Sequence, residues 1–260
     1  MSHVVAALQP ISGSVAAQPA ANAAAVIEHR WVALYRVAGV SALLTGLLIP
    51  LQIVAFVAWP PPHGEVVRWF DVFQDSAVIG LISFDLAILL EEVLLVPIIL
   101  AVYVLLRRTS ESLMLIAAAL WLLSVALFIG SNTGFEMLAL SNGYAAAGTE
   151  AGRASYVAAG QAMLAAYMQQ GSSFMMGYLL AAAAGILVGI GMLRNRVFSG
   201  VAAWAGIVAN FLGLGLFLPG IGVMVSLGSV AILIVWYLLV GWRLLRLPAP
   251  AGSVGDVSSS

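Results

Sequence analysis

The stretch Ser83-Phe84-Asp85-Leu86-Ala87-Ile88-Leu89-Leu90-Glu91-Glu92-Val93-Leu94-Leu95-Val96-Pro97 sets three carboxylates and a proline inside one long apolar run. The surrounding chain reads as a membrane protein. Of its 260 residues, 63% are hydrophobic and 8% are charged, and the mean hydropathy is +1.08. Soluble domains carry about 25% charged residues, so a single water-soluble core is excluded. The formal net charge of −1 leaves no basic field for nucleic acid. The absence of cysteine excludes disulfides, thiolate metal sites and cysteine nucleophiles.

Outward from the opening stretch, six apolar runs are long enough to span a bilayer, which takes about 20 helical residues. They cover roughly residues 34–58, 79–106, 112–131, 172–193, 198–218 and 221–245. The second run is longer than a span needs, and Ala77 to Ile82 can belong to an interfacial turn. The expectation is an all-α, six-span transmembrane bundle over residues 30–247. Residues 1–29 and 248–260 are rich in Ala, Ser, Gly and Pro and read as disordered tails.

Orientation follows from the arginines. If the N-terminus is cytoplasmic, Arg30, Arg36, Arg107, Arg108, Arg194, Arg196, Arg243 and Arg246 all fall inside, and only Arg68 and Arg153 fall outside. That is a strong positive-inside bias, and it puts both termini in the cytoplasm. Trp31, Tyr35, Trp204 and Trp242 on the inner side, with Trp59 and Trp69 on the outer, fit interfacial aromatic belts.

The outer segments have content of their own. Pro60-Pro61-Pro62-His63-Gly64 is a stiff turn. After it, Val66, Val67, Phe70 and Phe73 recur at helical spacing among charges, which predicts an amphipathic helix lying on the outer surface. Thr149 can cap a helix with Glu150 in its first turn. Val157, Leu164 and Met168 then form one stripe, on a helix that rests on the membrane or covers the bundle mouth. In the fourth span Gly177, Ala181, Gly185 and Gly189 repeat every four residues, a spacing that lets another helix approach closely, within the monomer or between monomers.

Several features together resemble an uncharacterised family of bacterial six-helix integral membrane proteins, a domain of unknown function. These are Tyr35-Arg36-Val37-Ala38-Gly39-Val40, the Trp59-Pro60-Pro61-Pro62 turn, the Asp85-bearing helix ending Tyr103-Val104-Leu105-Leu106-Arg107-Arg108, Ser131-Asn132-Thr133-Gly134-Phe135-Glu136-Met137, and Trp236-Tyr237. The resemblance covers about residues 30–247. It implies a multi-pass protein of the bacterial plasma membrane and brings no assigned activity or catalytic residue.

The acids need an explanation. Asp85 and Glu92 are seven residues apart, so on a continuous helix they share a face, about 10 Å apart along the axis. Glu91 is turned about 100° from Glu92, off that face. Both glutamates are expected near mid-span. A central acid costs about 2.5 kcal/mol or more on insertion, and each Leu, Ile or Val offsets about 0.3–0.6. The nineteen Leu, Ile, Val and Phe residues from Ile79 to Leu106 roughly balance three acids. No Lys, Arg or His lies in the interior of any span to pair with them; every Arg sits at an interface or in a loop. Three readings stay open: the acids are neutral, they face a wet cavity, or they bind a cation or basic substrate. Thr45, Gln52, Ser124, Asn210 and Ser226 are polar groups able to line the same interior. Pro97 frees the carbonyl of Val93, to which a neutral Glu can donate. Glu136 can pair with Arg153 at the outer mouth, a surface pair worth about 0–1 kcal/mol.

Three functions follow. Intramembrane acids mark pathways or sites by default, so the first is small-solute or ion-coupled transport. In it Asp85, Glu91, Glu92 and Asn210 are the candidate site. The second is a non-catalytic membrane sensor, regulator or assembly partner, whose acids only fix helix packing. The third, a membrane enzyme, is disfavoured: no nucleophile–base constellation, phosphate loop or metal motif is visible. No cofactor or metal is expected. The expected partners are the lipid bilayer and either a second copy or another membrane protein.

Overall fold

The computed structural model describes residues 29–62, 64–84, 86–168 and 171–247. The expected tails, His63, Asp85 and the side chain of Met168 lie outside the described residues. Among the described residues there are ten α-helices and no strand: α1 (Val32–Ala58), α2 (Val66–Asp75), α3 (Ala77–Ser83), α4 (Leu86–Leu106), α5 (Glu111–Ser131), α6 (Gly134–Ala146), α7 (Glu150–Met168), α8 (Ser172–Arg194), α9 (Gly200–Gly213) and α10 (Gly222–Leu245). A 3-10 segment, Leu214–Phe217, extends α9.

Six segments, carried by α1, α4, α5, α8, α9 and α10, are long and apolar enough to cross a membrane. Their outward faces are apolar too: Leu47, Val54, Val57, Val201, Phe211 and Met224 are all exposed. Such a surface belongs in lipid, and the chain is an integral membrane protein.

The six long helices form a closed ring in chain order. α1 packs on α4, α4 on α5, α5 on α8, α8 on α9, α9 on α10, and α10 returns to α1. The closing seam is tight. A Cβ on Gly241 would lie 2.9 Å from the carbonyl oxygen of Gly39, so only hydrogen fits there. At one end of the ring the arginine-bearing turns meet. Asn195 Nδ2 donates to Thr109 Oγ1 at 2.8 Å, and Arg243 Nε donates to the Val197 carbonyl at 2.6 Å. This half of the bundle is filled. Ile98, Ile99, Ala101, Val102, Leu106, Met114, Ala117, Ala184, Val188 and Leu244 are each at most 3% exposed.

The opposite end carries a helical cap with a core of its own. Trp69, Phe70 and Phe73 of α2 are buried together with Phe84, Met137 of α6 and Leu164 of α7. α2 does not lie with its apolar face on the membrane, as its pattern predicts. That face is covered by α6 and α7, and Trp69 is 1% exposed, so it belongs to no aromatic belt. Tyr35 is likewise buried in the ring, at 3%. Trp59, Trp204 and Trp242 are exposed, as belt residues must be. Gly160 of α7 admits α2, since a Cβ there would meet Phe70 and Val66 at 2.7 Å. Thr149 caps α7, its Oγ1 accepting from the Gly152 N–H at 3.1 Å. Arg153 turns away from Glu136: its Nε donates to the Ala147 carbonyl, and its guanidinium lies over Tyr144.

The cap also explains a break in the second apolar run. One helix is expected over 79–106, but α3 ends at Ser83 and α4 starts at Leu86. Phe84, fully buried, stacks on Tyr167 at 4.2 Å and meets Trp69 edge-on at 5.0 Å. Its carbonyl accepts a hydrogen bond from Asn132 Nδ2 at 3.2 Å. Tertiary contacts to a residue 48 positions away thus take the carbonyl that a continuous helix would use.

Candidate site: an acid-lined chamber inside the ring

The ring is hollow toward its capped end. A chamber of about 230 Å³ lies there, and every one of the six long helices contributes to its wall. α4 supplies Ile88, Glu91, Glu92 and Leu95. These positions follow i, i+3, i+4 and i+7, which is one face of a helix. The stripe is about 100° wide, enough to bring both glutamates to the chamber, so Glu91 is not off the face. Because α4 starts at Leu86, Glu91 and Glu92 are its sixth and seventh residues. They lie about 7.5–9 Å along the axis from the capped end of the helix, not at mid-span.

Facing them, α5 contributes Trp121, Ser124 and Phe128, α8 contributes Phe174 and Tyr178, α9 contributes Asn210, and α10 contributes Ser229 and Tyr237. Three of the four sequence-nominated residues therefore share one cavity, and the fourth, Asp85, lies outside the described residues. Of the further polar groups named from sequence, Ser124 lines the chamber. Ser226 is within 2.8 Å of the Tyr178 hydroxyl, and Thr45 is buried in the ring.

The small-residue stripe of α8 serves this site within one chain. Gly177 faces α5, where a Cβ would touch Leu127, Phe128 and the Ser124 carbonyl at 3.4–3.5 Å. Ala181 lines the chamber. A Cβ on Gly185 would collide with the side-chain amide of Asn210, and one on Gly189 would crowd Ile207 and the Ala203 carbonyl. The stripe thus seats α9 and makes room for Asn210, whose Nδ2 donates to the Gly206 carbonyl at 2.8 Å.

Two polar atoms in the wall are unspent. Glu92 Oε2 and Ser124 Oγ are buried and have no hydrogen-bond partner, and Ser124 as a whole is 1% exposed. A buried polar group left without a partner costs about 1–3 kcal/mol. Glu92 does not bond to the carbonyl freed by Pro97, and α4 continues through that proline to Leu106. Among the described lining residues there is no Lys, Arg or His. The wall is an acid pair in a shell of apolar and aromatic side chains that also carries Ser124, Asn210 and Ser229.

Above the chamber, between ring and cap, a larger cavity of about 440 Å³ is lined by Ser131, Asn132, Thr133, Ser172, Ser173 and Tyr167 among others. Ile88, Phe128 and Phe174 belong to the walls of both spaces. They form the partition between a polar vestibule and the acid chamber. Sequence reasoning missed this partition and the aromatic wall. Trp121, Phe128, Phe174, Tyr178 and Tyr237 read as ordinary span residues until the ring brings them together.

Comparison with protein-family models, with curated proteins and with solved structures finds no match to this chain. The functional reading therefore rests on the chamber.

Proposed function

We propose that the chain is a multi-pass protein of a bacterial plasma membrane, with both termini cytoplasmic, that moves a small solute or cation through the chamber. Glu91 and Glu92 serve as its cation- or proton-binding groups. The observation that carries the reading is the convergence of all six long helices on one cavity whose acidic groups are Glu91 and Glu92, with no basic side chain among the described lining residues. Buried charge is retained where it is paired or used. The arginine bias supports the orientation, which puts the vestibule on the outer side. The titratable groups of the chamber are Glu91, Glu92, Tyr178 and Tyr237. A proton and a solute cation would compete for the carboxylates, and that competition is a means of coupling.

The test is flux in proteoliposomes of the purified full chain, read by an internal pH dye while inorganic cations and small amines are added. Wild type is expected to move at least one of them, and Glu92→Gln to abolish the movement while the protein still purifies as a folded species. Equal flux in both proteins sinks the proposal. No flux, together with a stoichiometric membrane partner after mild detergent extraction, would assign the chain to an assembly instead.

A further inference from the structure

We infer that the chamber's ligand is a small organic monocation, an alkylated ammonium, rather than an inorganic ion. This inference rests on the transport reading and narrows its substrate class.

Size comes first. The chamber's 230 Å³ is below the roughly 300–1,000 Å³ of sites for drug-sized ligands, so the occupant is small. The wall decides its chemistry. A hard inorganic cation wants a shell of about six to eight oxygen ligands, or its own water. The oxygens of the described wall are the two carboxylates, the Asn210 amide and the hydroxyls of Ser124, Tyr178, Ser229 and Tyr237. Of its hydroxyls, Tyr178 is engaged with Ser226, and Ser229 donates to the Ser226 carbonyl at 2.6 Å. No group of three His, Cys, Asp or Glu side chains able to hold a metal ion occurs among the described residues.

Five aromatic side chains share this wall with the carboxylates: Trp121, Phe128, Phe174, Tyr178 and Tyr237. They brace one another and their neighbours. Phe128 and Phe174 meet edge-on at 5.2 Å, Phe174 and Tyr178 stack at 6.2 Å, and Tyr237 meets Trp236 at 5.1 Å. An alkylammonium satisfies both halves of this wall. Its charge sits against Glu92 and Glu91, and its alkyl groups, which carry part of the positive charge, sit against aromatic rings. A molecule entering from the vestibule would meet the apolar partition of Ile88, Phe128 and Phe174 with its alkyl groups leading.

The experiment is calorimetric titration of the detergent-purified full chain with tetramethylammonium, with sodium and potassium as inorganic cations and tert-butyl alcohol as an uncharged molecule of similar shape. Tetramethylammonium is expected to bind saturably and the alcohol not at all. Trp121→Leu and Phe174→Leu should each weaken binding about tenfold. Tyr237→Phe, which keeps the ring, should leave it within about twofold, and Glu92→Gln should remove it. Chromatographic profile and helicity confirm that each variant is folded, and Phe174→Leu answers for the cage if Trp121→Leu does not fold. Sodium or potassium binding that depends on Glu92, without tetramethylammonium binding, overturns the organic-cation inference and leaves the acid-chamber reading standing. Tetramethylammonium binding that the leucine substitutions do not weaken also overturns it. No Glu92-dependent binding of any cation overturns both.

Discussion

The two halves of the ring are built from the same six helices and differ in what fills them. Toward the arginine end, aliphatic and alanine side chains meet in close contact. A cavity among Ile99, Val102, Met114, Val188 and Trp121 measures about 10 Å³, no more than a single water needs. Toward the capped end, the same helices enclose an acid-lined chamber and open into a vestibule. A ring able to pack one half to the density of a protein interior is able to pack the other. The hollow is therefore a feature of the sequence placed there, with Glu91, Glu92 and Asn210 where the filled half has Ile98, Ile99 and Ala203.

The contrast can be broken in four ways. The largest effect is expected from Glu92→Gln, which keeps the shape of the chamber and removes its charge. Cation-dependent flux should fall by at least tenfold, with the melting temperature in detergent unchanged or raised, because a buried carboxylate oxygen without a partner is replaced by a neutral amide. Next is Gly241→Val at the seam. Its side chain has no room beside the Gly39 carbonyl, and thermal unfolding should show a loss of about 2–3 kcal/mol. Third is a matched pair one helical turn apart on α8. Ala184→Leu, in the filled half, should cost about 1–3 kcal/mol by overpacking, whereas Ala181→Leu, projecting into the chamber, should cost less than about 1. The second substitution should nevertheless block cation binding in the titration. Equal costs for the two would show that the halves do not differ in packing. The smallest effect is expected from Asn195→Ala at the arginine end. It loses the bonds to Thr109 and to the Val197 N–H, for about 1 kcal/mol of thermal stability and no change in flux.

The sequence made the helical class and the six apolar segments legible, because hydrophobic length is a local property that needs no partner. It also nominated Glu91, Glu92 and Asn210, since acids and amides stand out in an apolar run. It misjudged what depends on distant residues. The helix break after Ser83 is set by Asn132 and the cap aromatics, not by a Gly or Pro at the break. That shift moved the glutamates from mid-span toward the capped end. The amphipathic pattern of α2 is the same whether its partner is lipid or protein, so Trp69 read as an interfacial residue although α6 and α7 bury it. The aromatic wall was invisible because its rings come from three helices, α5, α8 and α10, and only the order of helices around the ring says which rings meet.

That order has a consequence for biosynthesis. Each long helix touches its predecessor in the chain, except at the seam, where the first meets the last. Five helices can therefore be laid down one against another as they leave the ribosome, while one flank of α1 stays unclaimed. The chamber has no complete wall until α10, with Ser229 and Tyr237, has entered the bilayer. A chain truncated before Gly222 would be an open arc, with Glu91 and Glu92 facing lipid and nothing to retain a ligand.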